Sequence, residues 1–112
     1  MQQDAPFKPG ANTFVIPCGA TATAATRPGL NMGGEVDYVI YNKGAADAWI
    51  GYGPTSDAAI ANAVIPLIGS PQSALPSPAG TIQTFTLDGS IFFSGIGEGG
   101  LTSCTITPGY GA

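Results

Sequence analysis

The stretch TIQTFTLDGSIFFSGIGEGGLTSCTIT, residues 81–107, decides the fold class. It contains three runs rich in β-branched and aromatic residues, at 81–87, 90–96 and 101–107, which read as three strands. Asp88-Gly89 between the first two is a strong signal for a two-residue hairpin. The tract GEGG at 97–100 joins the second run to the third. The reading is a three-stranded antiparallel meander that stops at Pro108, followed by a short tail.

Upstream, VDYVIYN at 36–42 is another strand. Val36, Tyr38 and Ile40 share one face, and Asp37, Val39 and Tyr41 the other. With five of those six apolar or aromatic, both faces are expected to be covered. NKGAAD at 42–47 is a turn, and AWIGY at 48–52 the next strand, so the two strands read as a hairpin. NTFVIP at 12–17 is a short strand closed by proline. Residues 18–34 are a small-residue loop with a turn at Pro28-Gly29 and a weak strand around 21–25.

The run WIGYGPTSDAAIANAVIP, 49–66, is a strand, a glycine corner and a helix start. Phosphate sites share that layout. Here, however, no basic residue follows Lys43, and Asp57 occupies the positive end of the helix. Thr55 is the expected N-cap, Ala59, Ile60, Ala63 and Val64 share one helical face, and Pro66 ends the element. Two turns of helix must dock on a sheet to persist. Residues 66–80 carry four prolines and read as a rigid extended loop, never a central strand.

With 112 residues the chain is one domain. Charged residues make up 9%, against roughly 25% in an average domain. The three basic residues, Lys8, Arg27 and Lys43, are scattered, and the net charge is −4. Nucleic acid and anionic membrane are therefore not expected partners. The N-terminal ten residues have no apolar signal-peptide core, and no apolar run reaches the length of a membrane span, so a cytoplasmically made protein is expected. Cys18 and Cys104 then read as reduced, partly buried thiols, able to pair only if their segments meet in space.

The sequence offers little chemistry. Without histidine the commonest general base and neutral metal ligand are missing. No CxxC or calcium-loop spacing occurs, and Glu35, Asp37 and Asp47 read as solvated carboxylates rather than ligands. No enzyme activity, cofactor or metal is expected. Tyr38, Tyr41, Trp49, Tyr52 and Tyr110 could form an aromatic platform for a sugar ring, although core or intersubunit packing is the plainer reading.

The expected fold is all-β, a small antiparallel β-sandwich or jelly-roll-like barrel with one short helix and extended termini. Residues 1–11 form the arm, 12–108 the sandwich and 109–112 the tail. From the strand runs the expected core is Phe14, Ile16, Val36, Tyr38, Ile40, Trp49 and Ile50, with Ile60, Val64, Phe85, Leu87, Phe92, Cys104 and Ile106.

The segment from AWIGYGPTSDAAIANAVIP (48–66) through the proline-rich loop to FTLDGSIFFSGI (85–96) and TITPGYGA (105–112) resembles small β-sandwich virion proteins of tailed bacteriophages. The resemblance covers about 60% of the chain. It implies a capsid decoration, or cement, protein that binds the major capsid protein as a homo-oligomer, a trimer by preference, on the capsid exterior. Phe7, Lys8, Tyr52, Pro54 and Tyr110 are the candidate contacts, drawn from the two ends and from the helix corner. A tail, neck or head-fibre component and a carbohydrate-binding module remain the alternatives.

Overall fold

A computed structural model describes residues 8–9, 13–22, 25–26, 34–69 and 72–110. Its strands are β1 (Lys8–Pro9), β2 (Phe14–Cys18), β3 (Glu35–Asn42), β4 (Asp47–Gly53), β5 (Leu75–Ser77), β6 (Ile82–Asp88), β7 (Phe92–Glu98) and β8 (Thr102–Tyr110), with helix α1 (Ser56–Asn62) between β4 and β5. One antiparallel sheet runs β1-β8-β3-β6, with β2 alongside β8 next to β1, and the other runs β5-β4-β7. Gly19 and Thr26 bridge the outer edge of β7, so these two residues border the second sheet.

The pairing is nested. The first long strand, β2, pairs with the last, β8, while Gly19 and Thr26 bridge β7, β3 pairs with β6, and β4 with β5. The doubled chain then wraps on itself through β3–β8 and β4–β7. A long hairpin rolled up so that its strands alternate between two sheets is the jelly-roll arrangement. The expected sandwich is therefore present, with the wrapping of its jelly-roll form.

This wrapping corrects the local pairings expected from sequence. β6, β7 and β8 do not form a meander, because β7 lies in the other sheet from its neighbours. β3 and β4 do not form a hairpin either, since they too belong to different sheets. The reason at Asp88-Gly89 is conformational. A two-residue hairpin of the primed type needs positive φ at its centre, and Gly89 is not among the positive-φ glycines. Instead the Asp88 carboxylate accepts from the Ser90 amide at 2.8 Å and its hydroxyl at 2.6 Å, while Gly89 donates to the Gly34 carbonyl. Those bonds hold the Asp88 carboxyl below its usual range and turn the chain from one layer into the other. At the other end of β7, the Gly97 amide donates to Gly19 rather than to β8.

Alternation in the strands fills the space between the sheets. Ile16, Cys18, Val36, Tyr38, Ile40, Ala48, Ile50, Ile91, Phe93, Cys104 and Ile106 are buried there, with Phe14, Tyr52, Leu75, Phe85 and Leu87 packed around them. The Tyr38 ring meets Phe93 edge-on at 4.8 Å, and its hydroxyl donates to the Asp88 carbonyl. An aromatic pair of this geometry adds about 0.5–1.5 kcal/mol to the area it buries.

Four expected core residues sit elsewhere. Trp49 is half-buried on the outer face of β4, because its neighbour Ile50 takes the inward direction. Phe92 is likewise displaced by Phe93, which the reading of β7 had missed. Ile60 and Val64 are half-buried in and beyond α1, whose seat is made by the smaller Ala59 and Ala63. The outer positions of β3 are also less covered than expected, with Tyr41 38% exposed.

Helix α1 begins where expected, with the Thr55 hydroxyl accepting from the Ala58 amide at 3.1 Å. It lies on the outer face of β4 and β7, over Gly51, where a side chain would strike its backbone, and Gly53, where one would strike the Ala58 Cβ. The proline-rich loop holds the three-residue strand β5, at a sheet edge where Pro76 forfeits no central ladder bond.

Parts of the expected arm and tail meet. Lys8 and Pro9 pair with Tyr110 and Gly109, so the last strand continues past Pro108 and the two ends share one ladder.

Candidate functional site

The five-stranded sheet has two unlike faces. Its inner side belongs to the core, and α1 covers only the other sheet. Strand registers place Val15, Thr105, Tyr41 and Ile82 in one row across the outer side. Thr107, Val39 and Thr84 form the next row, and Thr13 joins it through a 2.6 Å hydroxyl–hydroxyl bond to Thr107. A third row holds Asp37 and Thr86, whose hydroxyl donates to the Asp37 carboxylate at 2.6 Å. Val15, Tyr41 and Ile82 are 52%, 38% and 65% exposed. The first two rows contain no charge; the acidic side chains of Glu35, Asp37 and Asp88 gather at one end of the face.

Apart from Tyr41 and Asp37, this face collects residues that no sequence motif singles out. Its signal was nevertheless present as T-x-T at 84–86 and 105–107. Once Phe85 and Ile106 point into the core, the flanking threonines must point out.

The expected contact residues do not converge. Phe7 lies outside the described residues. Lys8 and Tyr110 are register partners across β1 and β8, which brings the backbones of the two ends together. Tyr52 points inward against the core, and its carbonyl accepts from the Asn62 amide group, so it is not a rim contact. Pro54 is exposed at the corner before α1.

The outer face of the three-stranded sheet carries the aromatic candidate. Trp49 lies in register with Pro76 on β5 and Ile96 on β7, and its indole Nε1 donates to Glu98 at 2.6 Å. Asp47 pairs in register with Glu98, but its carboxylate is engaged by the Ala79 amide at 2.9 Å. Tyr38 is fully buried, Tyr52 points inward and Tyr41 lies on the opposite sheet, so these three do not join Trp49 in an aromatic platform.

No acidic or thiol cluster suited to a metal occurs among the described residues. Asp37 and Asp47, imagined with Glu35 around one cation, belong to different sheets. Cys18 and Cys104 do meet, as diagonal neighbours on the inner faces of β2 and β8, and both are free thiols. Contact with Cys104 and burial push the Cys18 thiol well above its usual range, so it stays protonated. Cys104 donates weakly to the Ser77 hydroxyl at 3.6 Å. No pocket indents the described residues, and none of their helices is long and apolar enough to cross a membrane.

Compared with family models, curated proteins and solved structures, the chain finds no match. Fold and surface together define a small jelly-roll sandwich whose five-stranded sheet has an outer face with two rows free of charge, which no described helix covers.

Proposed function

We propose that this chain is a structural virion protein that decorates a phage capsid and stabilises it by bridging major capsid subunits. The observation that carries the reading is the outer face of the five-stranded sheet, with Val15, Val39, Tyr41 and Ile82 among threonines and no charge in its two central rows. A partner covering such a face desolvates no ion, and threonine hydroxyls can exchange water for partner groups. Jelly rolls also serve in viral capsids, which supports the reading by analogy of fold alone. The mechanism is mechanical. Each copy ties adjacent subunits, and many weak contacts sum through avidity to resist expansion or rupture.

Val15→Lys and Tyr41→Lys test this face, because both side chains are exposed enough to change without disturbing the core. Melting should stay close to wild type, while co-pelleting with expanded capsids should weaken at least about tenfold. Unchanged pelleting of both variants would remove the face from the contact. Copy number in purified virions should match the capsid lattice; protein confined to the tail vertex would instead support a tail, neck or head-fibre role.

A carbohydrate-binding role keeps one supporting observation, Trp49 on an outer face with its indole bonded to Glu98. Sugar titration should then change Trp49 fluorescence, and a flat response across a glycan panel removes this second reading.

A further inference from the structure

We propose that β6 is a docking edge for the β6 of a second copy, joining two molecules across a two-fold axis into one continuous sheet. This does not rest on the capsid reading.

The hydrogen-bonding direction of β6 follows from its pairing. Thr81 accepts from the Asn42 amide and Gly89 donates to the Gly34 carbonyl, so odd-numbered residues of this segment face β3. The backbone groups of Ile82, Thr84, Thr86 and Asp88 therefore point away from the sheet. Of these, the Asp88 carbonyl is engaged by the Tyr38 hydroxyl. Among the described residues, no other strand lies beside the amides and carbonyls of 82, 84 and 86.

Free strand edges invite pairing, and folded proteins normally block them. The other long edges among the described residues are interrupted. At β2, Pro17 takes a position facing outward and offers no N–H. β5 is three residues long with Pro76 at its centre. Along β7, Thr26 exchanges two backbone bonds with Phe93, and Gly19 accepts from Gly97. β6 spans seven residues without proline or lysine. It also carries Gln83 Oε1, the one buried side-chain oxygen lacking a hydrogen-bond partner among the described residues.

A second copy is the occupant because the strand is self-complementary. Antiparallel pairing centred on Phe85 sets Thr84 opposite Thr86 of the other copy, twice, on the outer face. The outward amides and carbonyls of both residues then bond reciprocally. Threonine–threonine pairs suit facing strands, and the two Asp88 carboxylates end up at opposite ends of the seam. Each Asp88 faces Ile82 across it. The outer faces of the two copies become continuous. The product is a dimer, in place of the trimer that the resemblance favours.

Sedimentation equilibrium of the full chain, with hydrogen exchange at low and high protein concentration, tests this. The expected result is a concentration-dependent dimer in which the amides of 82, 84 and 86 gain protection. Thr84→Pro removes an N–H that the monomer does not use, and Thr86→Lys places a charge at the seam. Each should weaken dimerisation at least about tenfold, with the β3-facing amides of 83 and 85 as protected as in wild type. A wild type that stays monomeric, a trimer, or a dimer indifferent to both variants overturns the proposal.

Discussion

Asn42→Asp should remove most of the stability of this domain at neutral pH and recover part of it in mild acid. Asn42 is fully buried at the end of β3, where the chain leaves one sheet for the other. Its amide nitrogen donates to the carbonyls of Ala46 at 2.9 Å and Ser77 at 2.7 Å. Its oxygen accepts from the Gly44 amide at 3.1 Å and the Thr102 hydroxyl at 2.7 Å. Both donors and both acceptor sites are thus used, and one side chain ties the β3–β4 crossing to β5 and to the start of β8. A carboxylate keeps the acceptor bonds but turns both donors into charge facing two carbonyl oxygens. Each buried group left without its partner costs about 1–3 kcal/mol, a large share of the roughly 5–15 kcal/mol that holds an ordinary domain together. The pH dependence follows from the same geometry. Burial among carbonyls raises the folded-state pKa of the introduced acid above its unfolded value of about 3.9. The variant is therefore least destabilised below that value, where the protonated acid donates one bond, and loses this support as pH rises through the folded pKa. Urea unfolding of both proteins at acidic and neutral pH measures it. A difference between variant and wild type that does not change with pH would show that the two carbonyls find other donors.

Such a crossing was hard to foresee, and the reason is physical. Alternation within a strand is local, so Val36, Tyr38 and Ile40 could be assigned to the core from residue types, and the structure buries all three. Which strand sits beside which depends on contacts distant in sequence. NKGAAD and Asp88-Gly89 look like hairpin turns because their residues suit tight reversals, but both carry the chain between layers. The φ of Gly89 and the four bonds of Asn42 separate these outcomes, and neither can be read from composition.

Adjacent residues show where local reasoning could have gone further. Trp49 and Ile50 were both expected in the core, although neighbours in a strand must face opposite ways. In β7 the faces Ile91-Phe93-Gly95 and Phe92-Ser94-Ile96 are similarly apolar. The choice falls to Gly95, where a side chain would lie 2.9 Å from Ile16 Cγ2 and press on the Cys18 sulfur. The candidate site was half legible in the same way. The T-x-T pairs followed from alternation, but their assembly into one face needed β3 between β6 and β8, a long-range fact.

Gly51→Ala should detach α1 from the sheet, for a related reason of close approach. An added Cβ at Gly51 would collide with the Ala63 amide nitrogen and the Ala59 carbonyl oxygen, and would lie 2.6 Å from Ala63 Cα. Ordinary carbon contacts settle near 3.5–4.0 Å. All three obstacles are backbone, so no rotamer change relieves them and the helix end must move outward by about 1 Å. Ala59 and Ala63, both essentially fully buried, would lose their seat, and seven residues of helix do not persist without docking. Overpacking commonly costs about 1–3 kcal/mol, and an immovable neighbour on three sides places this change at the upper end. Gly53→Ala is the informative comparison. There the nearest obstacle is the Ala58 Cβ at 2.7 Å, with the backbone of Ala58 and Ala59 at 3.2 Å, so the overlap to be relieved is smaller than at Gly51. The expected order of melting temperature is wild type, then Gly53→Ala, then Gly51→Ala, with residues 54–69 newly open to proteolysis in the last. Because α1 packs on β4 and β7, Gly51→Ala should keep its protected amides in β3 and β8 while losing those of the helix. Equal loss throughout would mean that α1 and the two sheets unfold as one unit. Wild-type melting would mean that the sheet, not the helix, gives way at Gly51.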